Sequence, residues 1–380
     1  MTDKFLLFPY WLTLKIRHCL YDSGLKKVHE AEVPTVCIGN LAVGGTGKTP
    51  HTEMVLRMLL SSNEWGMRNI AVLSRGYKRK SRGFQQVVSD SRASFAGDEP
   101  LQIKKKFPVV TVAVDKDRIE GCDFLCHPEK LAESRKTRKC VDKSLPAADL
   151  IVLDDAFQYR ALKASANIVL IDYNRPLSKD ALLPLGRLRD LPSRIKAADI
   201  IVVTKCPAYI EDWQRIDWVK CLGINDFDAS ECAGTLRGGR RVTVVFTTLH
   251  YQPLQPVFPE SGDPRYIYSK KLVLFTGIAK DTPLRQFLSD KYKIVRRFSF
   301  PDHHKFSRSD IRSIQAASAA NSTAVVVTTE KDAQRVLDCD FMPSELKERM
   351  FFIPVQAAFL SELEKAVFTS RLLNLVSSKI

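Results

Sequence analysis

Residues Val36 to Pro50 read Val-Cys-Ile-Gly-Asn-Leu-Ala-Val-Gly-Gly-Thr-Gly-Lys-Thr-Pro, and no other stretch limits the architecture as much. Positions 36–38 form a short apolar run suited to a buried strand. From Pro50 onward, Met54, Val55, Met58 and Leu59 recur at helical spacing. Strand, glycine turn, Gly-Lys-Thr and helix is the order of a phosphate-binding loop. Glycines let successive backbone N–H groups curl around a phosphate, and the helix start adds its positive end. In that reading Val43, Gly44, Gly45, Thr46, Gly47, Lys48, Thr49 and Pro50 line a nucleotide. Lys48 reaches the β- and γ-phosphates, and the Thr49 hydroxyl serves Mg2+. The strict pattern has glycine where this chain has Ala42. A glycine-rich turn that binds nothing would not need Gly45, Gly47, Lys48 and Thr49 together, so the chain is expected to bind a nucleoside triphosphate.

Beyond Pro34, apolar runs at 36–38, 70–73, 109–114, 150–153, 168–171 and 200–203 alternate with amphipathic stretches. The runs are β-branched and continuous, as strands covered on both faces must be. The fold class expected is α/β, a P-loop NTPase-like, mostly parallel sheet flanked by helices, with a second, smaller α/β domain. Ligands in such sheets gather at the carboxyl ends of the strands. Gly234, Gly238 and Gly239 break the pattern, 241–248 reads as an extended strand, and 253–264 is proline-rich. Further strands are expected at 272–275, 294–300 and 324–328, and an amphipathic helix at about 360–376. The boundaries expected are an N-terminal helix at 1–22, a kinase domain at 23–235, a linker at 236–265 and the smaller domain at 266–380.

Residues 5–21 (FLLFPYWLTLKIRHCLY) place aromatic and basic side chains at helical spacing. Such a segment either packs on its own domain or lies in a membrane interface. No segment is long and apolar enough to span a bilayer, and no small-residue cleavage site follows the N-terminal apolar run, which points to a cytosolic chain. The net charge of +15 calls for an anionic partner. No basic tail concentrates it, which argues against nucleic acid, and the short runs 78–82, 104–106 and 135–139 read as solvated loops. Nine cysteines are scattered, Cys140 among them. Cys122, Cys126 and His127 have no second pair at zinc-site spacing, so the thiols read as idle.

The strand at 150–153 ends in Asp154 and Asp155, where phosphoryl transfer needs carboxylate oxygens for Mg2+; such a pair also caps helices. Arg75 and Tyr77 follow the second strand, and Arg118 lies just past the third. Asp98, in Gly-Asp-Glu-Pro, stands before a helix and by itself reads as a cap. Arg187, Arg189 and Asp190 share a turn-rich loop, where arginine suits bidentate anion contacts. His303, after a strand end, is either an ordinary loop residue or a proton-handling partner of a carboxylate. Residues 328–332 have the form of a helix cap.

In chain order, GNLAVGGTGKTP, SRGY, GDEP, DKDR, LDDAFQ, LLPLGRLRD, FPDHH and TTEKD resemble the tetraacyldisaccharide 4'-kinase family of Gram-negative lipid A biosynthesis. The resemblance covers nearly the whole chain, and that family's loop usually lacks the first glycine too, which accommodates Ala42. It implies an ATP- and Mg2+-dependent kinase, a phosphotransferase with an alcohol acceptor. Its substrate would be an anionic glycolipid, tetraacyldisaccharide 1-phosphate, phosphorylated at the 4'-hydroxyl to give lipid IVA. By motif, Lys48 and Thr49 match the loop lysine and metal-binding threonine, and Asp154 and Asp155 the acids near the metal. Asp98 matches the general base, His303 its partner, and Arg118 and Arg189 active-site arginines; Lys48 and Arg118 are assigned to catalysis as well, and Arg75, Tyr77, Arg118 and Arg189 to the substrate. Asp190, assigned to the metal, stands where glutamate is more usual, and Ala156 and Tyr159 where glycine and histidine are. The resemblance also implies peripheral attachment to the cytoplasmic face of the inner membrane through the N-terminal helix, with no nucleic acid and no obligate protein partner. The rivals are a soluble P-loop kinase or GTPase and a nucleic-acid-dependent ATPase. Against a GTPase, Thr204-Lys205-Cys206-Pro207 lacks the acid of a guanine-recognition motif.

Overall fold

The β-branched runs assemble into one twisted sheet in a computed structural model that describes residues 2–133, 145–263 and 268–379. The basic run 135–139 and Cys140 lie outside the described residues. Seven strands run parallel: β1 (Thr35–Asn40), β2 (Ile70–Ser74), β3 (Thr111–Val114), β4 (Leu150–Asp154), β5 (Ala166–Asp172), β6 (Ile200–Thr204) and β7 (Arg241–Tyr251). Their spatial order is β7-β6-β5-β1-β4-β2-β3, with antiparallel strands at both edges. β1 is central, and the order turns back on either side of it. The carboxyl ends of β1, β2 and β4 therefore open onto one crevice, where a doubly wound sheet binds its ligand.

Both faces of this sheet are covered. On one face, α2 (Lys48–Ser61) buries Leu56 and Leu59, and α6 (Glu362–Ser377) buries Phe368, Leu372 and Val376. The other face collects Leu14 of α1 (Thr2–Asp22), Cys122 and Phe124 of α4 (Arg118–Cys126), and Phe157. Burial pushes the Cys122 thiol up to about 12, consistent with an inert thiol. The α1 segment takes up the packed role: Leu14 and His18 are buried, and the Tyr10 hydroxyl donates to the Arg189 carbonyl at 2.9 Å. Yet Phe8, Trp11, Leu12 and Ile16 of the same helix stay exposed. No described helix is long and apolar enough to cross a membrane.

A second sheet holds β8 (Gln255–Pro256), β9 (Lys271–Thr276), β10 (Lys293–Ser299), β11 (Val325–Thr329) and β12 (Met350–Ile353), in the order β8-β12-β11-β9-β10. The boundaries drawn from sequence need correction in two places. Residues 241–251 are no linker: Val242, Val244, Val245 and Phe246 are buried, and β7 pairs in parallel with β6. Glycines and prolines on either side gave this core strand the look of a connection. Nor does the chain end in the smaller unit. β13 (Val355–Phe359) pairs antiparallel with residues 247–251 of β7, and α6 packs on the large sheet. An amphipathic pattern shows that a helix has an apolar face, not which sheet receives it. The smaller lobe is thus an insertion between β7 and β13.

Candidate active site

Two carbonyl-and-side-chain anchors fix the glycine loop after β1. The Asn40 amide donates to the Thr46 hydroxyl at 2.6 Å, and the Val43 N–H donates to the Arg187 carbonyl at 2.7 Å. Gly47, with φ +85°, takes the left-handed conformation that lets the chain turn into α2 at Lys48. Val43, Gly44 and Gly45 are exposed along the loop rim, and Thr49 and Pro50 occupy the first turn, where proline's missing donor costs nothing.

The Lys48 amine stands 3.7 Å from Asp155 at the end of β4. Asp155 also accepts a two-pronged contact from Arg189, which reaches back to the Asn40 side-chain oxygen. Burial works to raise the Asp155 carboxyl, but Arg189 and Lys48 outweigh it and hold it below the usual range. Asp154 is buried and accepts from the Thr52 hydroxyl at 3.3 Å and the Ser74 hydroxyl at 3.1 Å. Burial, with Glu99 and Asp155 nearby, pushes it up to about 6. Arg118 is buried and donates to the Asp115 and Lys116 carbonyls. Burial lowers its pKa, Arg75 adds to that, and Asp154 and Asp155 oppose it, so these charges act on one another at the crevice. Asp190 is not brought into it. Fully buried, it is bonded instead to His18 Nε2 of α1 at 2.6 Å. It anchors the N-terminal helix, and the carboxylates facing the loop are Asp154 and Asp155.

A second cluster forms where the lobes meet. Asp98 opens α3 (Asp98–Lys106) and accepts from the Glu99 N–H through Oδ1. Its Oδ2 faces His303 Nδ1 at 3.2 Å and Arg335 Nε at 2.8 Å. Arg335 and Lys331 lie on α5 (Glu330–Val336), four residues apart and so on one face. Lys331 reaches His303 Nε2 at 3.1 Å and Glu99 at 2.9 Å. With Nδ1–H donating to Asp98, His303 accepts from Lys331 at Nε2, and Arg335 Nη2 also lies 3.2 Å from Nδ1. Burial opposes ionisation of Asp98, but the His303 hydrogen bond, Lys331 and Arg335 prevail, and its carboxyl lies well below the usual range. Tyr77 packs its ring edge-on to His303 at 5.0 Å. Gly97, at φ +94°, backs onto Gly76, where an added Cβ would stand 3.4 Å from the Gly76 Cα, so this cluster adjoins the Arg75 turn.

Below both clusters, the Lys106 amine sits between Glu53 of α2 at 2.8 Å and Glu330 of α5 at 2.9 Å. The run 104–106, expected as solvated loop, is instead the last turn of α3, and only its third lysine finds this buried niche. Sequence reasoning also missed Asn40, Glu99, Lys331 and Arg335. Residues 328–332 do cap a helix, with the Thr329 hydroxyl accepting from the Asp332 N–H at 3.1 Å. The four-residue spacing of Lys331 and Arg335 was the available signal that the same turn presents two cations together.

A model of the tetraacyldisaccharide-1-P 4'-kinase family matches residues 5–376. The tetraacyldisaccharide 4'-kinase of Phocaeicola vulgatus is 34% identical over 366 residues, 95% of this chain and 91% of that protein. The enzyme of that name from Porphyromonas gingivalis is 35% identical over 383 residues, covering 97% and 95%. That from Flavobacterium johnsoniae is 35% identical over 360 residues, covering 94% and 93%. A crystal structure of "apo" form LpxK from Aquifex aeolicus in complex with ATP shares the fold, with a TM-score of 0.68 at 24% identity over 99% of this chain and all of that one. A phosphate loop met by acids from β4, in a chain matched almost end to end by one family, leaves a single assignment: this protein is a kinase of the tetraacyldisaccharide 4'-kinase family.

Proposed function

We propose that this enzyme transfers the γ-phosphoryl group of ATP to the 4'-hydroxyl of tetraacyldisaccharide 1-phosphate, giving lipid IVA and ADP. The observation that carries the reading is the meeting of Asp98 and His303. They lie 205 residues apart on different lobes, yet within hydrogen-bond distance, with Glu99 close enough to Asp154 to act on its charge. As the sugar oxygen bonds to the γ-phosphorus and the bond to ADP breaks, its proton passes to the Asp98 carboxylate, which His303 orients. Arg335 sharing the same carboxylate oxygen makes Asp98 a weak base as it stands. An incoming γ-phosphate offers Arg335 a second anion, and release toward it restores the basicity of Asp98. Lys48 holds the β- and γ-phosphates, and Arg75, Tyr77 and Arg118 face the acceptor.

The donor set fits Mg2+. Asp154 is a buried carboxylate short of positive charge, Thr49 adds a hydroxyl, and Mg2+ ordinarily takes one or two carboxylates with substrate phosphates and water. When bound, the ion neutralises charge on the phosphates. The exposed Phe8, Trp11, Leu12 and Ile16 of α1, with the net charge of +15, support peripheral binding at the acidic cytoplasmic face of the inner membrane.

The test is transfer of label from γ-labelled ATP to tetraacyldisaccharide 1-phosphate in detergent micelles with Mg2+. Labelled bisphosphorylated lipid is expected. ATP turnover that ignores the lipid but rises with DNA or RNA would overturn the reading.

A further inference from the structure

The underside of the phosphate loop is held by side chains that no motif predicts. The Thr204 hydroxyl, at the end of β6, donates to the Thr46 carbonyl at 2.9 Å. The next carbonyl, of Gly47, receives the His51 N–H at 3.2 Å and the His51 ring Nδ1 at 2.7 Å. On its far side the ring Nε2 meets the Thr247 hydroxyl of β7 at 2.8 Å. All three side chains are buried. Burial lowers the imidazole to about 4, so it is uncharged at neutral pH, with Nδ1–H donating and Nε2 accepting from Thr247, whose hydroxyl lies closer to this nitrogen than to its other partner, the Val203 carbonyl at 3.2 Å.

In a trans peptide the C=O of one residue and the N–H of the next point in opposite directions. Tying the Thr46 carbonyl down to Thr204 aims the Gly47 N–H up into the loop. Tying the Gly47 carbonyl to His51 does the same for the Lys48 N–H. These are the two amides that a phosphate seated at the start of α2 needs. Glycines on both sides of Thr46 leave the backbone free to rotate these planes away, so the anchors supply the order that the loop composition withholds.

We propose that Thr204, His51 and Thr247 brace the peptide planes of the phosphate loop, making His51 a positioning residue for nucleotide binding. The inference rests on the reading of this loop as the ATP site. It assigns a role to the segment where β7 leaves its parallel partner: Thr247, which closes the brace, is also the first residue of β7 paired with β13.

The experiment measures Kd for MgATP by calorimetry, and KM for ATP and for the glycolipid separately, on full-length variants. His51→Ala should weaken MgATP binding about tenfold, the loss of one buried hydrogen bond to a phosphate-facing peptide, with KM for the glycolipid unmoved. His51→Asn, whose amide nitrogen stands where Nδ1 does, should recover most of that loss. Thr247→Val and Thr204→Val should shift the same constant in the same direction, and they carry the test if His51→Ala does not fold. MgATP affinity within twofold of wild type in the alanine and both valine variants would overturn the brace. So would constants for ATP and glycolipid that worsen in step, since that marks a merely structural role. If the wild-type enzyme itself bound no MgATP, the nucleotide-loop reading would fall first and take the brace with it.

Discussion

Removing the Lys106 amine tests whether the two lobes are bolted through a shared cation. Its nitrogen contacts Glu53 at 2.8 Å and Glu330 at 2.9 and 3.1 Å, and the Glu53 side chain is fully buried. In Lys106→Met both carboxylates remain, with Gln102 on one Glu53 oxygen and the partly exposed Arg57 at 3.2 Å as the nearest remaining cation. Deleting one partner of a buried pair costs about 3–5 kcal/mol, and the retained Arg57 puts the loss near the lower end. The penalty must depend on pH. Burial and Glu53 already raise Glu330 above its ordinary 4.5, and Lys106 opposes them, so its removal raises the folded-state value further. A carboxyl raised by folding destabilises at high pH, and the penalty fades as pH falls through the raised value toward 4.5. Urea unfolding followed by tryptophan fluorescence should show the full loss at pH 8, less at pH 5.5, and recovery of about half with Glu330→Gln added. A loss under about 1 kcal/mol at pH 8, or one independent of pH, would refute the reasoning.

Other outcomes follow from the same geometry. Asp98→Ala and His303→Ala should each lower kcat by about 10²-fold in the labelled-lipid assay, and undiminished turnover in both would remove the dyad. Arg335→Gln takes a cation from the Asp98 carboxylate and raises its pKa. Because the base must be ionised to act, the acidic limb of kcat/KM should move to higher pH; an unmoved limb means that Asp98 does not set it. The double variant Phe8→Ser, Ile16→Ser spares the buried Leu14 and His18, so it should bind anionic vesicles less while melting like wild type. Equal vesicle binding would assign membrane contact to another surface.

The strands of the large sheet were legible because burial on both faces demands unbroken β-branched runs, and 70–73, 150–153 and 200–203 are such runs. The phosphate loop was legible because each residue type at its spacing has one physical job. The lobe boundaries were not: 241–251 is as apolar as any core strand, but its glycine and proline neighbours masked it. Asp98 and Arg335 are 237 positions apart, and nothing local marks two such residues as partners. Lys106 resembles its two neighbours in every respect except the niche it enters. Asp190 shares the LLPLGRLRD motif with Arg189, and a motif does not convey which way each of its side chains points.

The return of the chain through β13 and α6 has a consequence for biosynthesis. A ribosome must read as far as Val376 before the layer over Leu56 and Leu59 has its last hydrophobic residue, although the nucleotide-facing helix it covers was made more than three hundred codons earlier. The inserted lobe, by contrast, has all its strands once Ile353 emerges. Synthesis therefore finishes the younger half first, and the older half waits with an uncovered greasy face, the state that chaperones attend.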